Sequence, residues 1–167
     1  TVVLRAGSGQ VHPSTADVTP TGLLITPIGD LLGNDHCTLE LVGGAGGLTD
    51  AVGNALASNW SVDFWTAPDW TPPTVIDSWG NTLVNASPLM QPRLQFSESV
   101  DLDSFDATSV VFADNLATAV PFTVEATPDR RLVRLVPQSP LIDGRSYTVT
   151  VIAGIGAVTD RSGNEMT

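Results

Sequence analysis

The run Tyr147-Thr148-Val149-Thr150-Val151 decides the fold. It is largely β-branched and alternates larger apolar residues with threonine, the period-two pattern of a half-buried antiparallel strand. The same period appears upstream. Pro92, Leu94 and Phe96 alternate with Arg93 and Gln95, and Val133 and Leu135 flank Arg134. Turn signals separate the runs: Thr127-Pro128-Asp129, Asp143-Gly144 and Ser162-Gly163-Asn164. No stretch sustains a 3.6-residue apolar period. Short strands at this spacing predict an all-β chain of antiparallel β-sandwich type.

The pattern is repeated. Residues 11–57 align without a gap on residues 121–167. Identical pairs include Ala16/Ala126, Pro27/Pro137, Thr38/Thr148, Gly44/Gly154, Asp50/Asp160, Gly53/Gly163 and Asn54/Asn164; Leu23/Val133 and Ile25/Leu135 keep their character. After a small shift, Thr1-Val2-Val3-Leu4 matches Ser109-Val110-Val111-Phe112. A register kept through its turn residues marks two copies of one module. The copies are cut differently. Residues 73–108 precede the second repeat, whereas the first is followed by a further strand, Trp60-Ser61-Val62-Asp63-Phe64-Trp65-Thr66. The expected modules are therefore 1–70, lacking its first strands, and 71–167, lacking its last strand. Pro68, Pro72 and Pro73 make the junction a short, stiff linker.

The chain has 167 residues, enough for one ordinary domain or two small β-domains. Asp and Glu number 18 against 7 basic residues, all arginine, for a net charge of −11. Such acidity argues against nucleic-acid phosphates and anionic membrane surfaces as partners. Without lysine there is no Schiff base and no Walker-type phosphate contact. A single cysteine excludes an internal disulfide and a thiolate-rich metal site. No apolar run is long enough for a transmembrane helix. Hydrophobic residues at 42% and charged residues at 15% argue for a real core rather than disorder. A first residue that is Thr1 rather than Met reads as a processed product or a fragment.

A family comes into view in one ordered set of motifs. These are Thr71-Pro72-Pro73-Thr74-Val75, Leu94-Gln95-Phe96-Ser97-Glu98-Ser99-Val100-Asp101, Leu135-Val136-Pro137, Gly144-Arg145-Ser146-Tyr147-Thr148-Val149 and Thr159-Asp160-Arg161-Ser162-Gly163-Asn164. Their order and spacing resemble the bacterial immunoglobulin-like domain of the S-layer (SbsA) type, found in tandem on surface and secreted proteins. The resemblance covers residues 72–167 well, and residues 1–68 as the later part of a second such domain. It implies tandem immunoglobulin-like antiparallel β-sandwiches, a structural or adhesive role and no catalytic site. Cys37 departs from the pattern, standing where the second copy has Tyr147.

Several groups are candidates for chemistry. Thr-Asp-x-x-Gly-Asn occurs at 49–54 and 159–164. Asp50 and Asp160 could ligate Ca²⁺, but two oxygens fall short of a Ca²⁺ shell. The favoured reading is a structural turn in which Asp50, Gly53, Asn54 and Asp160, Gly163, Asn164 set the backbone. Glu98, Asp101, Asp103 and Asp106 form the densest acidic run, a weak Ca²⁺ candidate without the EF-hand pattern. As a glycosidase pair these carboxylates lack any sign of a groove. The tryptophans Trp60, Trp65, Trp70 and Trp79 cluster around the junction. Stacking on sugar rings is one reading; interdomain packing is favoured. Trp60, Val62 and Phe64 share one strand face, expected to face the core. Cys37 reads as a small buried hydrophobe. His12 and His36 fall in no motif. Tyr147 is placed for a tyrosine-corner bond. Asn59-Trp60-Ser61 and Asn85-Ala86-Ser87 match a glycosylation pattern that is empty in a bacterial protein.

The reading is a structural, non-catalytic segment of a secreted or cell-surface bacterial protein: a stalk, an adhesin array, or a filament or surface-layer subunit. It needs no cofactor, with Ca²⁺ as the one candidate ion. Its expected partners are neighbouring immunoglobulin-like modules or identical subunits. An open edge left by a lacking strand invites a strand from another chain, whereas a fragment of a longer array needs none. The rival reading is an accessory, polysaccharide-binding module of a large extracellular enzyme.

Overall fold

The structure, a computed structural model, describes residues 1–79 and 86–167; Asn85 of the second glycosylation pattern lies outside the described residues. The chain divides into two compact units, Thr1–Asp69 and Trp70–Thr167. Nearly all its regular structure is antiparallel β, as the period-two runs require.

In the first unit the strands are β1 (Val2–Arg5), β2 (Val11–His12), β3 (Ser14–Thr19), β4 (Gly22–Pro27), β5 (His36–Leu41) and β6 (Trp60–Trp65). One sheet has the order β2-β1-β5-β6, and β3 and β4 form a separate hairpin. Leu4, Cys37 and His12 are buried on the inner face of the four-stranded sheet. The His12 ring lies 3.0 Å from the Pro13 carbonyl and 3.4 Å from that of Asp30, so its burial is compensated.

The second unit contains β7 (Val75–Trp79), β8 (Arg93–Phe96), β9 (Val110–Asp114), β10 (Phe122–Ala126), β11 (Leu132–Pro137) and β12 (Tyr147–Val151). A short 3₁₀ turn spans Leu102–Ser104, with Asp101 as its N-cap. The sheets are β10-β11-β8-β7 and β12-β9. Their inner faces meet in a core that includes Leu94, Phe96, Val110, Val133, Leu135 and Val158. Phe96 meets Phe105 edge-on, with ring centroids 5.9 Å apart. Buried Ser109 donates to the Ser104 carbonyl at 2.6 Å and accepts from the Asp106 N–H at 2.9 Å.

The two units share strand pairings. β3 pairs with β4 as β10 pairs with β11, and β1 pairs with β5 as β9 pairs with β12. The register corrects one detail of the repeat. Ala16 stands opposite Ile25, and Val124 stands opposite Leu135. Ala16 therefore answers to Val124, and its identity with Ala126 is coincidental. The gapless alignment fails before β4 because the turn at residues 127–131 is longer than that at residues 20–21.

A second correction concerns β6. Trp60, Val62 and Phe64 do share the face of Leu41, Leu39 and Cys37, as the pairing Leu41↔Trp60, Leu39↔Val62 and Cys37↔Phe64 requires. That face is not covered at β6: the three residues are 50%, 40% and 37% exposed. In the first unit the opposing layer is, among the described residues, the two-stranded β3–β4 hairpin. In the second unit the equivalent hairpin continues into β8 and β7.

Candidate functional site

The two Asp-x-x-Gly-Asn segments have the same geometry. Asp50 Oδ1 accepts the Val52 N–H at 3.0 Å and the Asn54 N–H at 2.9 Å, while Asn54 Nδ2 donates to Asp50 Oδ2 at 2.9 Å. Asp160 repeats this with Ser162 at 2.7 Å, Asn164 at 2.8 Å and the Asn164 amide at 2.7 Å. Gly53 and Gly163 take φ of 92° and 88°, a region that costs any other residue strain. The asparagines contribute their side-chain amides and not a left-handed backbone. The Asn54 side-chain amide, with the backbone donors, holds the Asp50 carboxyl below its ordinary value.

The acidic run is spread out by its local structure. Asp101 accepts from the Asp103 N–H at 3.2 Å, which starts the 3₁₀ turn. Asp106 Oδ1 accepts from the Thr108 hydroxyl at 2.6 Å, the Thr108 N–H at 2.7 Å and the Ser109 N–H at 3.0 Å. These bonds, the hydroxyl first, lower the Asp106 pKa. Glu98 approaches Asp160 instead, with carboxylate oxygens within 4.8 Å.

A group that the sequence did not reveal lies at the end of β9. The strand register sets Asp114 opposite Tyr147. Asp114 Oδ1 accepts the Leu116 and Thr118 N–H groups, each at 2.9 Å, and Oδ2 pairs with the Arg145 guanidinium. The Thr118 N–H, then Leu116 and Arg145, depress the Asp114 pKa against the opposing effect of burial. The Tyr147 hydroxyl accepts the Ile142 N–H at 2.7 Å, which is the corner bond expected of it. These residues border an open cleft of about 140 Å³. Arg145 and Tyr147 stood together in the motif, but their partner Asp114 is distant in sequence and was recognisable only through pairing.

Cys37 is fully buried. Burial first, and the Asp35 charge second, push its thiol pKa up. Its thiol donates to Asp35 Oδ2 at 4.0 Å, a carboxylate that opposes ionisation and is not the histidine base of a thiol nucleophile. Trp60 and Trp65 are exposed on opposite faces of β6, with the Trp65 ring 5.0 Å from that of His36. Trp79 ends β7, and Trp70 opens the second unit.

Two antiparallel sheets, packed over one core and closed by a tyrosine corner, define the second unit as an immunoglobulin-like β-sandwich. The family model of the bacterial Ig-like domain matches residues 69–167, and the chain belongs to that family. No curated protein matches it. Domains of this family are generally non-catalytic and typical of bacterial surface or extracellular proteins. No helix among the described residues is long and apolar enough to cross a membrane.

Proposed function

We propose that the chain is a structural, non-catalytic segment of a secreted or surface-exposed bacterial protein, built from two immunoglobulin-like modules of the S-layer type. Stalk, adhesin array and filament or surface-layer subunit are the roles that fit. The observation that carries this is the shared strand pairing of the two units, one of which matches the bacterial Ig-like family. The polar groups support a mechanical role. Asp50, Asp106, Asp114 and Asp160 hold their own loops together, leaving them committed to structure rather than to a substrate.

Trp60, Trp65, Trp70 and Trp79 serve, in this reading, as packing surfaces between neighbouring modules or identical subunits. Ca²⁺ at Glu98, Asp101, Asp103 and Asp106 has less support, because Asp101 and Asp106 already accept backbone N–H bonds. Antibody labelling of intact and permeabilised source cells tests the reading. Equal staining is expected; staining confined to permeabilised cells would refute it. Light scattering with Ca²⁺ and then with chelator separates an assembling subunit from a stalk segment. Tryptophan fluorescence quenched by a polysaccharide would favour the accessory-module alternative.

A further inference from the structure

We propose that the cleft beside Arg145 in the second unit is a binding site for an aromatic ring that carries a carboxylate. The ring lies against Val120 and Pro140, and the carboxylate meets the Arg145 guanidinium.

The first unit shows what this place holds when the chain fills it from within. Leu4 and Phe112 are matched by their partners Leu39 and Val149. Leu4 stands opposite His12, and the Phe112 carbonyl accepts the Val120 N–H at 2.8 Å, so Val120 takes the place of His12. The Ile28 N–H donates to the Pro13 carbonyl as the Gln138 N–H does to that of Pro121, which sets Pro140 at the place of Asp30. In the first unit the His12 ring is buried, 3.4 Å from the Asp30 carbonyl. In the second unit Val120 has no ring, and it borders with Pro140 a cleft of about 140 Å³. A cavity of about 150 Å³ takes one benzene ring. In this fold the place is thus of a size for a single ring.

The charge beside it selects the acid. The first unit has Asp35 where the second has Arg145, so a ring with a basic nitrogen accompanies an acid in one, and a cation calls for an acidic ring in the other. Asp114 leaves that cation room for a second partner. It pairs with Arg145 through Nη1, while its Oδ1 is taken by the Leu116 and Thr118 N–H groups. A guanidinium has five N–H donors, and among the described residues Asp114 is the only hydrogen-bond partner of the Arg145 side chain. Held at Nη1 and 30% exposed, the side chain offers its other donors in a fixed orientation to a carboxylate arriving from solvent. The Tyr147 hydroxyl, by contrast, is engaged by the Ile142 N–H.

The experiment titrates the full ¹⁵N-labelled chain with benzoate, benzyl alcohol and acetate, and reads the amide shifts. Benzoate should give saturable shifts confined to residues 114–121 and 139–147. Its affinity should exceed that of benzyl alcohol and of acetate by about tenfold or more, since only benzoate brings both ring and charge. Val120→His places the first unit's ring in the second. It should weaken benzoate binding by about tenfold or more, with the core amides of residues 94–96 and 133–135 unmoved. N-acetylphenylalanine stands for the end of a peptide chain. Tighter binding than benzoate would assign the site to a partner's C-terminal phenylalanine, and weaker binding to a free aromatic acid. Benzoate shifts that scatter over the surface or do not saturate would overturn the proposal. So would equal affinity for benzoate and benzyl alcohol, a comparison that needs no variant and stands if Val120→His does not fold. Undiminished benzoate binding by folded Val120→His would overturn it as well.

Discussion

Leu23 and Val133 hold the same place in two equivalent hairpins, Leu23 opposite Val18 and Val133 opposite Ala126, but Val133 is fully buried and Leu23 is not. The two hairpins differ in the next strand: β8 flanks β11 with Leu94 opposite Val133, whereas among the described residues only β3 pairs with β4. Apolar burial is worth roughly 1.5–3 kcal/mol for a whole side chain, so the two positions should respond differently to truncation. Val133→Ala is expected to destabilise the second unit by about 1–3 kcal/mol through lost contacts and a cavity. Leu23→Ala should cost the first unit less than about 1 kcal/mol. Urea titrations followed by hydrogen exchange assign each transition to its unit. Equal losses at the two positions would contradict the description of the β4 face.

Asp114, held by the Thr118 N–H first and then by the Leu116 N–H and Arg145, makes the second unit acid-sensitive in a defined direction. Asp114 has a folded pKa below that of a free carboxyl, about 3.9. A depressed carboxyl stabilises the fold fully above its unfolded value and loses that contribution as pH falls toward the folded value. Thermal melts of the second unit should therefore be flat from neutral pH down to about 4 and fall below it. Asp114→Asn should melt lower at neutral pH and show a shallower acid limb, because the amide keeps an acceptor but not the charge. An acid limb of unchanged steepness in that variant would show that other carboxylates, Asp106 among them, carry the effect.

The turn at Asp160 predicts a backbone effect. Gly163, at φ 88°, lies where a Cβ meets no neighbour, so a substitution there reports conformation and not crowding. Gly163→Ala should cost about 1–2 kcal/mol, the usual penalty of a left-handed L-residue. Gly53→Ala, at φ 92° and equally open, should cost the first unit the same. Melting curves of the two variants check this. A neutral Gly163→Ala would mean that the turn relaxes without loss of the Asp160 bonds to Ser162 and Asn164.

Much of this architecture was legible because β-structure writes itself locally. Strand β12 spans the same Tyr147–Val151 read from its alternation, and the Pro92–Phe96 run is β8 with its first residue trimmed. The repeated Asp-x-x-Gly-Asn turns were legible for the same reason, since each bond spans at most four residues. Errors arose where the answer depended on distant chain. Ala16 looked like Ala126 because a length change hides inside a turn, and only cross-strand partners reveal it. Alternation in β6 named the inner face of Trp60, Val62 and Phe64 correctly, but it carries no information on whether a second layer lies over it. Asp114 ends its strand like many surface aspartates. Its role appears only when β9 and β12 pair.

Cys37 offers a native probe of the same unit. Its thiol is buried on β5, and burial together with Asp35 raises its pKa, so both access and ionisation oppose reaction. Thiolate is the attacking species, and each unit of pKa above the solution pH reduces it about tenfold. Labelling with an excess of a thiol reagent at pH 8 should thus be slower than in the urea-unfolded chain by well over about tenfold. The rate should follow opening of the β5–β6 pairing, where Cys37 stands opposite the partly exposed Phe64. Phe64→Ala removes that neighbour and should speed labelling without changing the rate in urea. Labelling as fast in the folded chain as in urea would mean that the first unit does not hold Cys37 inside.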